Sequence, residues 1–260
     1  MLWNHLKFSI RLFLKDGLYS FLNVFGLSMG LTCGIIVLLY LQNDLTYDLH
    51  HDKHERIYRL VQHLEATGAD FNVAVTAREL APLLKEDLPE LEAYVRFLNW
   101  NTTRVIYEKP NGTVVQFEED NLFQTDSSIF SIFTHEFIEG TPSEALNGLN
   151  KIVLNESTAK RYFSDDNAMG KRLEVGEESY EVTAVIADLP DNSHMKYDLL
   201  ISGIEDRNWG RDQLTTTRTS ELFWNPGCYT FLLFEEGYNP GNFQDRWPII
   251  FDKHYSAFAE

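Results

Sequence analysis

Three histidines sit close together in this chain: His50, His51 and His54, beside Asp48 and Asp52. Imidazoles and carboxylates at such spacing can hold a transition metal. These residues match no specific ligand pattern, and a polar turn accounts for them more simply. Two acidic pairs, Asp165-Asp166 and Asp188 with Asp191, have residue types suited to general acid–base work, yet pairs of this kind are ordinary in loops. Gly170-Lys171 resembles the end of a phosphate-binding loop, but Asp165 stands where the first glycine belongs and Arg172 where the hydroxyl belongs. No Gly-x-Ser-x-Gly elbow and no His-Glu-x-x-His pair occurs. Cys228 lies in an apolar run and reads as a small core residue. The sequence therefore leads us to expect no catalytic, cofactor-binding or metal-ligating residue, no cofactor and no enzymatic activity.

Any function must then come from the elements. From Gly17 to Asn43 there is no charged residue. A helix over 18–41 would be about 36 Å long, enough to cross a hydrocarbon core of about 30 Å. The run is longer than a signal-peptide core, and no small-residue cleavage site follows it. Lys7, Arg11 and Lys15 precede it, whereas Asp44, Asp48 and Asp52 follow. The positive-inside rule puts the N-terminus in the cytoplasm and the rest of the chain outside. Within 1–16, Leu2, Trp3, Leu6, Ile10, Phe13 and Leu14 share one side of a helical projection, with Lys7, Arg11 and Lys15 on the adjoining arc. This pattern predicts an amphipathic helix on the cytoplasmic leaflet. Gly26, Gly30 and Gly34 recur every four residues, a spacing that lets membrane helices approach closely.

Residues 1–43 carry two net positive charges, so the remainder of a chain of net charge −17 carries nineteen negative ones. A domain this acidic repels phosphate backbones, which argues against nucleic acid as a partner. Cys33 and Cys228 lie too far apart in setting to form a disulfide.

Beyond Asp52 the pattern is mixed α and β. Strands are expected at 56–65, 91–99, 102–107, 113–118, 152–155, 180–189, 198–202 and 228–234. Lys109-Pro110-Asn111-Gly112 is a turn signal that makes 102–118 a hairpin. Helices are expected at 76–88, briefly at 127–133, and from a cap at Asn155 or Ser157 to Phe163. A last helix at 242–255 should be bent or interrupted by Pro248. Residues 203–225 read as a long exposed loop. The sequence divides into a juxtamembrane helix (1–16), a membrane helix (17–43) and an external domain (44–260), which itself could be two subdomains.

Several segments, in this order, resemble one family. They include Tyr19-Ser20-Phe21-Leu22-Asn23, Gly26-Leu27-Ser28-Met29-Gly30-Leu31, Glu55-Arg56-Ile57-Tyr58-Arg59 and Phe130-Ser131-Ile132-Phe133. The run from Val153 to Phe163, Met169-Gly170-Lys171 and Asp188-Leu189-Pro190-Asp191-Asn192-Ser193-His194 complete the set. Together they resemble ABC transporter permeases of the FtsX type with a MacB-like periplasmic core domain. The resemblance implies an α+β fold: one N-terminal transmembrane helix, then a mixed α/β periplasmic domain of two lobes. It implies a place in the bacterial inner membrane and a permease that transmits ATP-driven motion to its periplasmic domain in export, efflux or envelope mechanics. The partners it implies are a cytoplasmic ABC ATPase subunit, the lipid bilayer, a second permease copy and periplasmic adaptor or outer-membrane proteins. A permease of this kind has further membrane helices, so Glu260 is expected to be a point of truncation. The competing readings are a single-pass anchored binding or sensor domain and, less favoured, an anchored hydrolase. The reading frame beyond Glu260 discriminates between them.

Overall fold

The structure is a computed structural model that describes residues 3, 5, 15, 17–66, 69–203 and 227–255. The expected amphipathic helix at 1–16 and the expected loop at 203–225 fall almost wholly outside these residues. The chain forms two compact units, Met1–Asp48 and Leu49–Glu260.

In the first unit, helix α1 spans Gly17–Leu45, 29 residues with no buried side chain. The mean hydropathy of 2.2 over an 18-residue window within it, and its length, suit a membrane crossing. It runs two residues past the expected end at Asn43. The backbone ladder continues through Asp44, and Thr46 N–H still donates to the Gln42 carbonyl at 3.1 Å. Thr32 Oγ1 donates to the Ser28 carbonyl at 2.8 Å, so this hydroxyl is satisfied without water.

The second unit is a sheet with helices packed on it. Its strands are β1 (Ile57–Arg59), β2 (Gln62–Ala66), β3 (Ala69–Val73), β4 (Leu91–Asn99), β5 (Thr103–Glu108), β6 (Val114–Glu119), β7 (Leu122–Thr125) and β8 (Phe137–Glu139). They continue with β9 (Lys151–Asn155), β10 (Arg172–Val175), β11 (Glu178–Ile186), β12 (Leu199–Ile201) and β13 (Cys228–Phe234). The helices are α2 (Leu80–Asp87), the single turn α3 (Ile129–Ile132), α4 (Glu156–Phe163) and α5 (Gly241–Tyr255). The main sheet runs β1-β13-β4-β7-β12-β9-β11-β10-β5-β6, with β8 added on β11. Most neighbours are antiparallel, but β11 pairs with β9, and β12 with β7, in parallel.

The strand patterns follow from these places. β11 buries Tyr180, Val182 and Ala184 in alternation, as a strand with one apolar face should. β13 lies inside the sheet between β1 and β4. It buries six of its seven residues, so Phe231-Leu232-Leu233-Phe234 reads as a continuous apolar run. Separate apolar clusters sit along the sheet. One packs Tyr162 and Phe163 of α4 on Val105, Leu173 and Val182. Another packs Leu80 and Leu84 of α2 and Ile250 of α5 on Leu91, Leu232 and Phe234. A third gathers Phe97, Phe123, Phe133 and Phe231.

Two expectations change. The single strand at 56–65 is two strands in different sheets: β1 pairs with β13, whereas β2 pairs only with β3. The chain leaves the main sheet after Leu60, whose N–H takes the Thr230 carbonyl at 2.9 Å. Pro248 does not interrupt α5, which continues across it with Pro248 exposed. One glycine is sterically required. At Gly140 (φ +86°) a Cβ would lie 2.6 Å from the Thr183 carbonyl, where β8 closes on β11.

Candidate functional site

The histidine segment is the first part of the chain inside the second unit, and it is fastened to the sheet. A 3₁₀ turn at His54–Arg56 shapes it, with His54 N–H on the His51 carbonyl at 3.0 Å. His51 is only 5% exposed. Its ring lies 3.9 Å from that of His50, 4.8 Å from Phe133 and 6.5 Å from His135, measured between centroids. The Thr134 N–H donates to His51 Nδ1 at 3.2 Å. Asp52 N–H donates to Thr134 Oγ1 at 2.9 Å, and Lys53 Nζ to the Ser131 carbonyl at 2.6 Å. Arg56 then donates to Glu92 of β4 at 2.8 Å and to the Phe234 carbonyl closing β13 at 3.1 Å. Residues 51–56 thus form a strap, bonded first to the segment around α3 and then to β4 and the end of β13, beside the β1 edge of the sheet.

His135 anchors the far side. Its Nδ1 lies 3.0 Å from the Phe133 carbonyl and its Nε2 meets the Tyr197 hydroxyl. A carbonyl can only accept, so Nδ1 carries the proton and Nε2 accepts from Tyr197. Burial pushes His135 down to about 4, the Phe133 carbonyl resists, and the nearby His51 and His50 push it further down. Burial also raises the Tyr197 hydroxyl, keeping it a neutral donor.

A second set of polar contacts holds α5. Arg246 donates to both oxygens of Glu90 at 2.9 and 3.0 Å and to the Asp87 carbonyl at 2.7 Å. Lys253 and His254 both meet the Asp87 carboxylate. The Lys253 hydrogen bond holds Asp87 below its usual value despite some burial, and His254 adds to the effect. Between the strap and the turn leading to α5 lies a cleft of about 560 Å³, walled by Asp52, Glu55, Arg56, Glu235, Glu236 and Tyr238.

The structure places the remaining candidates in supporting roles. His54 Nδ1 lies 2.9 Å from the His51 carbonyl. Asp188 accepts Ser157 N–H at 3.0 Å and Ser157 Oγ–H, so it supports the start of α4. Asp166 faces Lys171 at 3.4 Å. Lys171 lies over the Phe163 ring at 4.7 Å, which gives the Gly170-Lys171 pair a cation–π role in place of a phosphate cradle. Cys228 is 1% exposed, and burial raises its thiol, with Arg78 and Arg96 opposing. His135 and Thr134 were not legible as partners of His51, nor Tyr197 as a partner of His135. The contacts between His51 and His135 or Thr134 span some eighty positions, and the sequence between carries no shared motif.

This geometry joins and positions elements of the fold. A family model described as MacB-like periplasmic core domain matches residues 20–246. Among solved structures, a domain of a candidate permease protein from Porphyromonas gingivalis aligns with a TM-score of 0.62 at 19% identity, covering 78% of this chain and 83% of that one. The periplasmic region of MacB from Actinobacillus actinomycetemcomitans aligns at 0.45 and 13%, covering 69% and 73%. The extracellular domain of the noncanonic ABC-type transporter YknZ from Gram-positive bacteria aligns at 0.42 and 14%, covering 76% and 92%. The comparison with curated proteins gives no match. With the family model spanning nearly all of α1 and nearly all of the sheet domain, the chain belongs to the MacB-like periplasmic core domain family.

Proposed function

We propose that this chain is part of an ABC transporter permease that carries ATP-driven motion from the membrane into an external domain. The observation that carries this reading is the family match over residues 20–246, which takes in the apolar helix and the sheet domain together. The fastened strap supports it. Force arriving along residues 49–56 meets Ser131, Thr134, Glu92 and the end of β13, so it loads the β13–β4 side of the sheet and not a loose tether. ATP hydrolysis belongs to a separate cytoplasmic subunit, and the glycine spacing in α1 suits packing against further membrane helices, including those of a second permease copy. The external domain lies in the periplasm of the bacterial inner membrane and works in export, efflux or envelope mechanics, where adaptor or outer-membrane proteins could meet it. Purification of the full-length gene product from its native membrane is expected to bring down an ATP-binding subunit. A product that purifies alone, from a gene with no further membrane helices, overturns the reading.

A further inference from the structure

We propose that β1 and helix α5, at opposite ends of the sheet domain's sequence, are locked together at the start of β4 and open as one unit, apart from β9 and β11. Two arginines make the lock. Arg56, where the strap enters β1, donates to Glu92 at 2.8 Å. Arg246 of α5 donates to both oxygens of Glu90 at 2.9 and 3.0 Å and to the Asp87 carbonyl at 2.7 Å. The two carboxylates stand two residues apart on one stretch of backbone, and that stretch is itself pinned. Glu235 N–H donates to the Glu90 carbonyl at 3.0 Å. Lys85 of α2 donates to the Leu91 carbonyl and, at 3.1 Å, to the Glu92 carbonyl. Leu91 between them is fully buried.

A second link is aromatic and converges on Phe234, the partner of Leu91 in the β13–β4 pairing. Tyr58 of β1 meets the Phe234 ring edge-on at 5.8 Å between centroids. Tyr238, in the turn before α5, stacks on the same ring at 3.9 Å. The Phe234 carbonyl also accepts from Arg56 at 3.1 Å. The cleft of about 560 Å³ lies between Arg56 and Tyr58 on one side and Glu235, Glu236 and Tyr238 on the other, so the joint at Phe234 and residues 90–92 carries the link around it. Half-exposed ion pairs taken singly contribute little. Here two of them and one shared ring bear on the same short backbone, and groups in one network do not act independently. The apolar cluster under α4, to which β9 and β11 contribute, is built from other residues. The lock stands on these contacts alone and holds for any function of the chain.

The test is native-state amide hydrogen exchange on the whole chain in detergent, with urea raised in steps below the unfolding transition. The amides of 57–60 and of α5 are expected to converge on one opening free energy and one urea slope, both lower than those of β9 and β11. Arg246→Ala should speed exchange in 57–60 about threefold, and Arg56→Ala should speed α5 by the same factor, because coupling between two sites is reciprocal. Exchange in β9 and β11 should not change in either variant. A variant that loosens only its own segment overturns the proposal, as does a cross effect in one direction alone. Acceleration of β9 and β11 along with the two segments overturns it too, since the loss would then be global. Should either variant fail to fold, the unaltered chain decides: separate urea slopes for 57–60 and α5 overturn the lock.

Discussion

The most constrained pair of charges in the domain is Arg96 and Asp126, at 3% and 1% exposure. Burial works against the Arg96 charge, and the Asp126 carboxylate more than offsets it, so the guanidinium is held above its ordinary value. The contact is two-pronged: Nε donates to Oδ2 at 2.9 Å and Nη2 to Oδ1 at 2.6 Å. The Arg96 backbone N–H adds a bond to Oδ2 at 2.7 Å, and Nη1 reaches the Arg78 carbonyl at 3.0 Å. One carboxylate therefore ties β4 to the start of α3, whose first N–H lies on the Asp126 carbonyl. Removing it strands a buried cation, a change that commonly costs about 3–5 kcal/mol. Asp126→Ala should lose that much in a urea titration of the folded domain, and a loss below about 1 kcal/mol would mean that water reaches Arg96. Nothing in the sequence marked this pair. Arg96 sits between Val95 and Phe97 in a strand pattern, and its partner lies thirty residues on.

At the scale of elements, local chemistry was the most legible part. Asn155 was a candidate cap from its place before Glu156, and its side chain does accept the Thr158 N–H at 2.9 Å. The hairpin at β5–β6 follows from the Lys109–Gly112 turn, where Gly112 takes φ +81°. What escaped was the outer ring of the cap. Asp198 accepts from Asn155 Nδ2 at 2.8 Å, and Asp188, which looked like half of a carboxylate pair, serves the same helix end. Two anionic side chains thereby support one helix N-terminus, where exposed backbone N–H groups favour negative charge. Asn155→Ala should cost about 1 kcal/mol from the lost cap. The further loss of the bond to Asp198 should bring the total nearer 2 kcal/mol, read as a shift in urea midpoint at unchanged slope. A change within experimental error would show that Asp188 and Asp198 carry the helix end without it. β1 and β2 were misread as one strand because both segments have strand character. Only the distant pairing to β13 decides where the main sheet stops.

Across the whole molecule, strand order was the part the sequence could not supply. β12 lies between β7 and β9, and β13 between β1 and β4, contacts that close over long spans of chain. Period-two patterning says which face of a strand is buried but not which neighbour it takes. Charge asymmetry yields an expectation at the molecular scale, that the sheet domain lies on the side away from Lys7, Arg11 and Lys15. Cys228 makes this assignment testable. It is 1% exposed in the folded domain, and the other cysteine, Cys33, lies within α1. In Cys33→Ser, Cys228 is the single thiol. A membrane-impermeant maleimide should leave it unmodified in intact spheroplasts, because the folded sheet covers it. Mild urea that unfolds the domain without opening the membrane should then expose it to the reagent from outside. Modification that appears only after lysis places the domain in the cytoplasm, and the charge flanks of α1 would then have been overruled by some other determinant of insertion. Modification in the absence of urea would instead contradict the burial of β13, leaving the orientation to be read from an engineered cysteine at the exposed Val114 of β6.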